Sequence, residues 1–169
     1  MADPASLDGY SRQSVDELLA LASTHSVASL VMAFDEAISQ KVDSDDIEQL
    51  TREEQIVLAV EYLERLVNNG GYESFLEQCP YRLVQIVVDG LRQIGCPKTA
   101  EITGKAIAAV PVKYLKDQYI FPFTSENRKA KSILASCDDR YFENDEGYDE
   151  GIARKLFEFI KLNKDRISF

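Results

Sequence analysis

The chain has 169 residues, the size of one domain, and its 45% hydrophobic and 28% charged residues are those of a globular protein rather than a disordered one. Its net charge is −10 and uneven: residues 1–50 hold ten acids and two bases, residues 51–110 eight and six, and residues 111–169 eleven of each. Such a charge repels nucleic acid and anionic membranes and draws the chain to basic surfaces, which argues against direct nucleic-acid or membrane binding.

Residues 1–12 read as a flexible tail, and residues 13–169 as a single helical domain. Ser14-Val15-Asp16-Glu17 has capping-box spacing, and the apolar residues that follow, from Leu18 to Ile38, recur at helical intervals. The polar run Ser23–Ser26 is a natural place for that stretch to split, with His25 as a surface or capping residue. An acidic connection over Asp43–Glu48 precedes a second capping box, Thr51-Arg52-Glu53-Glu54. Behind it Ile56, Val60, Leu63 and Val67 form a stripe broadened by Ala59 and Leu66, and Asn68-Asn69-Gly70-Gly71 predicts the helix stop. Leu83–Ile94 is apolar on so many sides that it reads as the central buried helix, the spacing of Leu91 and Ile94 favouring helix over a strand at Ile86–Val88. A further helix runs from Pro97 to about Val110. Residues 112–124, with Tyr114, Tyr119, Phe121 and Phe123, read as an aromatic loop across the bundle. A helix over Ser125–Ser136, an acidic turn and a last helix over Asp149–Asn163 complete an all-α, bundle-like domain of six to eight helices.

No catalytic constellation is visible. Cys79, Cys96 and Cys137 are widely spaced and far in sequence from His25, so neither a zinc site nor a Cys-His pair is expected. Placing Gly147 at position 6 of a calcium loop puts Phe142 at position 1, where an oxygen ligand is needed. The acids of that segment read instead as a turn favouring the next helix N-terminus. We expect no enzyme, no cofactor and no metal. With no signal-like start and no long apolar run, we expect a cytoplasmic protein. The acids on and near the predicted helices, Asp35, Glu36, Asp45, Asp46, Glu48, Glu53, Glu54, Glu61 and Glu64, are candidates for one extended acidic face.

The run Leu50–Glu54, with Val67-Asn68-Asn69-Gly70-Gly71-Tyr72-Glu73-Ser74-Phe75-Leu76, resembles the bacterial DNA-mimic protein domain family. Gly90-Leu91-Arg92-Gln93-Ile94-Gly95-Cys96, Ala100-Glu101-Ile102 and Asp138–Phe142 are similar to that family as well, so the likeness spans residues 50–163. The resemblance implies an all-helical domain, usually a dimer, that imitates duplex DNA. Such a protein occupies a DNA-binding regulator, of the helix-turn-helix kind, and keeps it from its DNA. Asn69, Gly70, Gly71, Tyr72 and Phe75 look structural in their own right. Gly90 stands where the family commonly has alanine, a departure that costs a helix about 1 kcal/mol unless close packing needs it. The rival expectation is a helical interaction or scaffold domain whose acidity serves solubility.

Overall fold

The computed structural model describes residues 4–42, 44–116 and 127–169, and the side chains of Ser44 and Asp45 lie outside that description. Eight α-helices follow one another in these residues: α1 Val15–Ala20, α2 Val27–Ser39, α3 Arg52–Gln78, α4 Tyr81–Gln93, α5 Pro97–Ala108, α6 Val112–Lys116, α7 Arg128–Glu143 and α8 Gly151–Leu162. No strand is present among the described residues, where the one β contact is an isolated bridge between Ala5 and His25.

Both capping boxes form. The Ser14 hydroxyl accepts from the Glu17 amide, the Thr51 hydroxyl accepts from the Glu54 amide, and each glutamate accepts from the amide of its cap. The polar run before α2 does split the chain, with Ser26 capping the new helix through the Ser29 amide. His25 is half-buried, its Nδ1 2.8 Å from the Thr24 hydroxyl.

The middle of the bundle is α3, not α4. α3 packs against α2, α4, α5, α7 and α8, and every residue from Ile56 to Glu61 is buried. α4 is instead amphipathic: Arg82, Gln85, Asp89 and Arg92 recur every three or four residues as an exposed stripe, while Leu83, Val84, Ile86, Val87 and Leu91 face inward. Gly90 has its packing reason, since a Cβ there would sit 3.2 Å from the Ile56 side chain of α3.

The Asn-Asn-Gly-Gly run interrupts α3 without ending it. Gly71 adopts φ 70°, ψ −172°, a region essentially reserved for glycine, and helix resumes at once through Tyr72 and Phe75 to Gln78. Val112–Lys116, expected as loop, is helical; Tyr119, Phe121 and Phe123 lie outside the described residues. α7 runs on to Glu143 and takes in Asp138–Phe142, which the sequence reading placed in a turn, because Leu134, Cys137 and Tyr141 extend its inward stripe.

Residues 4–12 run against α2. Ala5 exchanges backbone hydrogen bonds with Thr24 and Ser26, the Leu7 amide donates to the Ser29 hydroxyl at 3.1 Å, and the Tyr10 amide donates to Glu36 at 2.9 Å. At the other end of the chain Ile167 is buried, and the Phe169 ring meets Tyr10 and Phe34 edge-on.

Candidate functional site, an acid-lined cleft between two helices

Two helical stripes face one another across a cleft of about 640 Å³. From α2 come Ala28, Met32, Asp35, Glu36 and Ser39, spaced three, four or one apart so that they share a face; from α3 come Glu61, Glu64, Arg65 and Asn68 with the same property. Ser6, Leu7 and Gly9 of the N-terminal segment close one side, and Ala153 of α8 also lines it.

The charges in this cleft are unequal in kind. Asp35 is buried; its Oδ2 accepts from Arg65 Nη1 at 3.1 Å, and its Oδ1 has no hydrogen-bond partner. Burial raises the Asp35 carboxyl, against the lowering effect of Arg65. Glu61 is 7% exposed and makes no hydrogen bond among the described residues. Burial, with the nearby charges of Asp35 and Glu64, pushes its carboxyl up to about 8. Glu64 is half-buried, raised by burial, and accepts a short hydrogen bond from the Tyr141 hydroxyl of α7. Arg65 also lies over the Tyr62 ring at 4.5 Å, which steadies its guanidinium beside Asp35.

The fold divides the nine candidate acids. Asp35, Glu36, Glu61 and Glu64 meet at the cleft. Glu54, 1% exposed, is consumed internally: it accepts from the Thr51 amide, from Lys41 and, at 2.9 Å, from the Ser168 amide near the C-terminus. Glu53 is half-buried, 3.8 Å from Arg166. Asp46 is exposed, Glu48 is exposed and ion-paired with Arg82, and the Asp45 side chain lies outside the described ones. Asp35, Glu54 and Glu61 are therefore interior groups, the last two because α3 sits in the middle of the bundle and those two positions fall on faces covered by its neighbours.

The Asn-Gly-Gly-aromatic motif is built into the core. A Cβ on Gly71 would lie 2.6 Å from an Asp138 oxygen, and Asp138 accepts from the Tyr72 amide at 2.7 Å, so the bare glycine lets the α7 carboxylate take the amide exposed by the break. Tyr72 is fully buried, edge-on to Phe75 and Tyr141, with its hydroxyl 2.7 Å from that of Thr103. Gly70 and Asn69 are exposed, and Asn69 reaches the cleft. Asp138 was missed as a partner of this motif, and Glu146 was misplaced: it is buried and caps α5, accepting from the Lys98 and Thr99 amides and the Thr99 hydroxyl, instead of favouring α8. Sixty-six and forty-seven residues separate these partners, and no local pattern announces such pairings.

All three thiols are buried, and burial raises each of them, Cys96 to about 11, the opposite of what a nucleophilic cysteine needs. No grouping of three or more metal-ligating side chains occurs among the described residues, and no helix there is long and apolar enough to cross a membrane.

Fold and site together define an acidic all-helical domain with a carboxylate-lined cleft between α2 and α3 and a glycine-broken central helix. A family model described as DMP19-like protein matches residues 48–163, and the chain belongs to that family, the DNA-mimic protein domain family. No curated protein and no solved structure matches the chain. The matched span contains the α3 wall of the cleft and Ala153, whereas the α2 wall and the N-terminal segment lie before it.

Proposed function

We propose that this chain is a non-enzymatic DNA mimic, which binds the basic surface of a DNA-binding protein, a helix-turn-helix regulator, and keeps it from DNA. Family membership carries the reading, and the excess of eight negative charges within residues 1–50 supports it. The exposed acids Glu36, Asp46 and Glu48 are its contact candidates; Glu54 is consumed by hydrogen bonds within the fold, and Glu61 is buried.

The test begins with capture of partners from a host lysate at low salt, followed by titration with the purified regulator. Raising salt from about 50 to 200 mM should weaken the complex steeply, and the chain should displace the regulator's operator DNA. Reversing Asp46 and Glu48 to lysine should lower affinity without altering the helical spectrum. A complex indifferent to salt and to that double reversal would sink the proposal.

One observation favours the rival reading, an interaction domain with solubilising acids. Surface carboxylates spread over the fold are already ion-paired, as in Asp16–Lys164, Asp89–Arg52, Asp145–Lys98 and Glu101–Lys105. Exposed pairs of this kind contribute little to stability, and they dilute a continuous acidic surface. The rival predicts a partner held through apolar contacts and unmoved by salt.

A further inference from the structure

The geometry points to the α2–α3 cleft as a binding site for an organic cation, an ammonium or guanidinium head on a short aliphatic stem. At about 640 Å³ the cleft is within the usual range of small-ligand sites, about 300–1,000 Å³. Four acids and one base line it. Glu61 is more than nine-tenths buried, lines the cleft and makes no hydrogen bond among the described residues, and Asp35 beside it keeps Oδ1 without a partner. Buried carboxylate oxygens in native proteins are paired, and an unpaired one marks a missing donor. Arg65, the one base of the cleft, reaches Asp35 through Oδ2 and makes no hydrogen bond to Glu61. The rest of the wall suits a stem rather than a bare ion: Leu7, Ala28, Met32, Ala33 and Ala153 are apolar, and the carboxylates do not converge as metal ligands.

Protonation agrees with this assignment. Glu61 is held largely protonated near neutral pH by burial, by Asp35 from α2 and by Glu64 on its own helix, with Arg65 opposing; Glu36 of α2 is the remaining charged group of the cleft, while the N-terminal segment and α8 present uncharged residues there. A cation arriving beside Glu61 favours its ionised form and expels the proton. Affinity should therefore rise by up to about tenfold between pH 7 and 9, with proton release measurable as a buffer-dependent binding enthalpy.

The head group has two sources, a free small amine or guanidine and an arginine or lysine side chain of a protein. Calorimetric titration with butylguanidinium and with its neutral isostere butylurea tests the chemistry; a capped Gly-Gly-Arg-Gly-Gly peptide and its citrulline counterpart test the source. Butylguanidinium should bind at least about tenfold more tightly than butylurea, and Glu61→Gln should remove that margin, while Asp165→Asn, an exposed acid away from the cleft, should not. Ser39→Phe, which fills the rim from an exposed position, should also abolish binding, and it decides the matter if Glu61→Gln is poorly folded. Binding of the free cation alone assigns a small molecule, and binding of the arginine peptide assigns a protein side chain. Equal binding of the guanidinium and the urea, or binding untouched by Ser39→Phe, overturns the proposal. None of these titrations involves the regulator, so this site and the DNA-mimic reading stand or fall separately.

Discussion

Gly71 shows how much a single residue can hold. Its φ of 70° with ψ −172° is reserved for glycine, and a side chain there would also strike the Asp138 carboxylate. Gly71→Ala should cost about 2–4 kcal/mol, read as a lower denaturant midpoint. Asp138→Ala, which orphans the Tyr72 amide, should cost about 1–3 kcal/mol, and the double variant less than the sum of the two. Additive losses would show that the two residues do not act as one joint. Glu61 makes a different prediction. Below about pH 4.5 the folded and unfolded chains both hold its proton; from there to about 8 the unfolded chain releases it while the folded chain retains it. Stability attributable to this group therefore falls as pH rises across that window and levels above it. Glu61→Gln, which cannot ionise, should gain stability over the native protein by about 1–3 kcal/mol at pH 8.5 and by little near pH 4.5. Urea melts at the two pH values check this, and a variant with the same pH slope as the native chain would refute the placement of Glu61.

At the scale of elements, the start of α3 is joined to two distant parts of the chain through one carboxylate. Glu54 holds the Thr51 amide, the Lys41 ammonium and the Ser168 amide while 1% exposed. Glu54→Ala strands the Thr51 and Ser168 amides and releases the partly exposed Lys41 ammonium, and a loss of about 1–3 kcal/mol follows from the amides left without an acceptor. Removal of Ile167–Phe169 should reproduce part of that loss, because it deletes the buried Ile167 and the Phe169 ring against Phe34 as well as the Ser168 amide. Thermal melts of the two variants, compared with Asp165→Asn as a surface control, measure both. The caps of α1 and α3 were legible in the sequence because a capping box lies within four consecutive residues. The exchange of roles between α3 and α4 was not. Hydrophobic counts rank α4 as the more buried helix, yet its polar residues align on one stripe, whereas those of α3 are divided among several neighbours.

For the whole molecule, the cysteines provide a probe of how tightly the bundle is closed. Cys79, Cys96 and Cys137 are 3%, 0% and 3% exposed, and burial keeps their thiols protonated. In the folded protein all three should label with a thiol reagent far more slowly at pH 7.5 than in urea, a difference that mass spectrometry resolves. The charge has a similar two-level character. Its total and its skew toward residues 1–50 are properties of the chain, but the fold sends Glu54 and Glu61 inward, pairs Glu48 with Arg82, and gathers Asp35, Glu36, Glu61 and Glu64 around one concavity.

The sequence by itself determined the helical class, the two capping boxes, the break at Asn-Asn-Gly-Gly and the family, because each is written in residues a few positions apart. Tertiary structure alone decided which helix lies at the centre, which acids face solvent, and that α2 and α3 enclose a carboxylate cleft. Those outcomes depend on pairings such as Gly71 with Asp138, Thr99 with Glu146 and Asp35 with Arg65, thirty or more residues apart. Helical periodicity states which face of a helix is apolar; it carries no information about which neighbour will cover that face, and burial of a carboxylate follows from the neighbour.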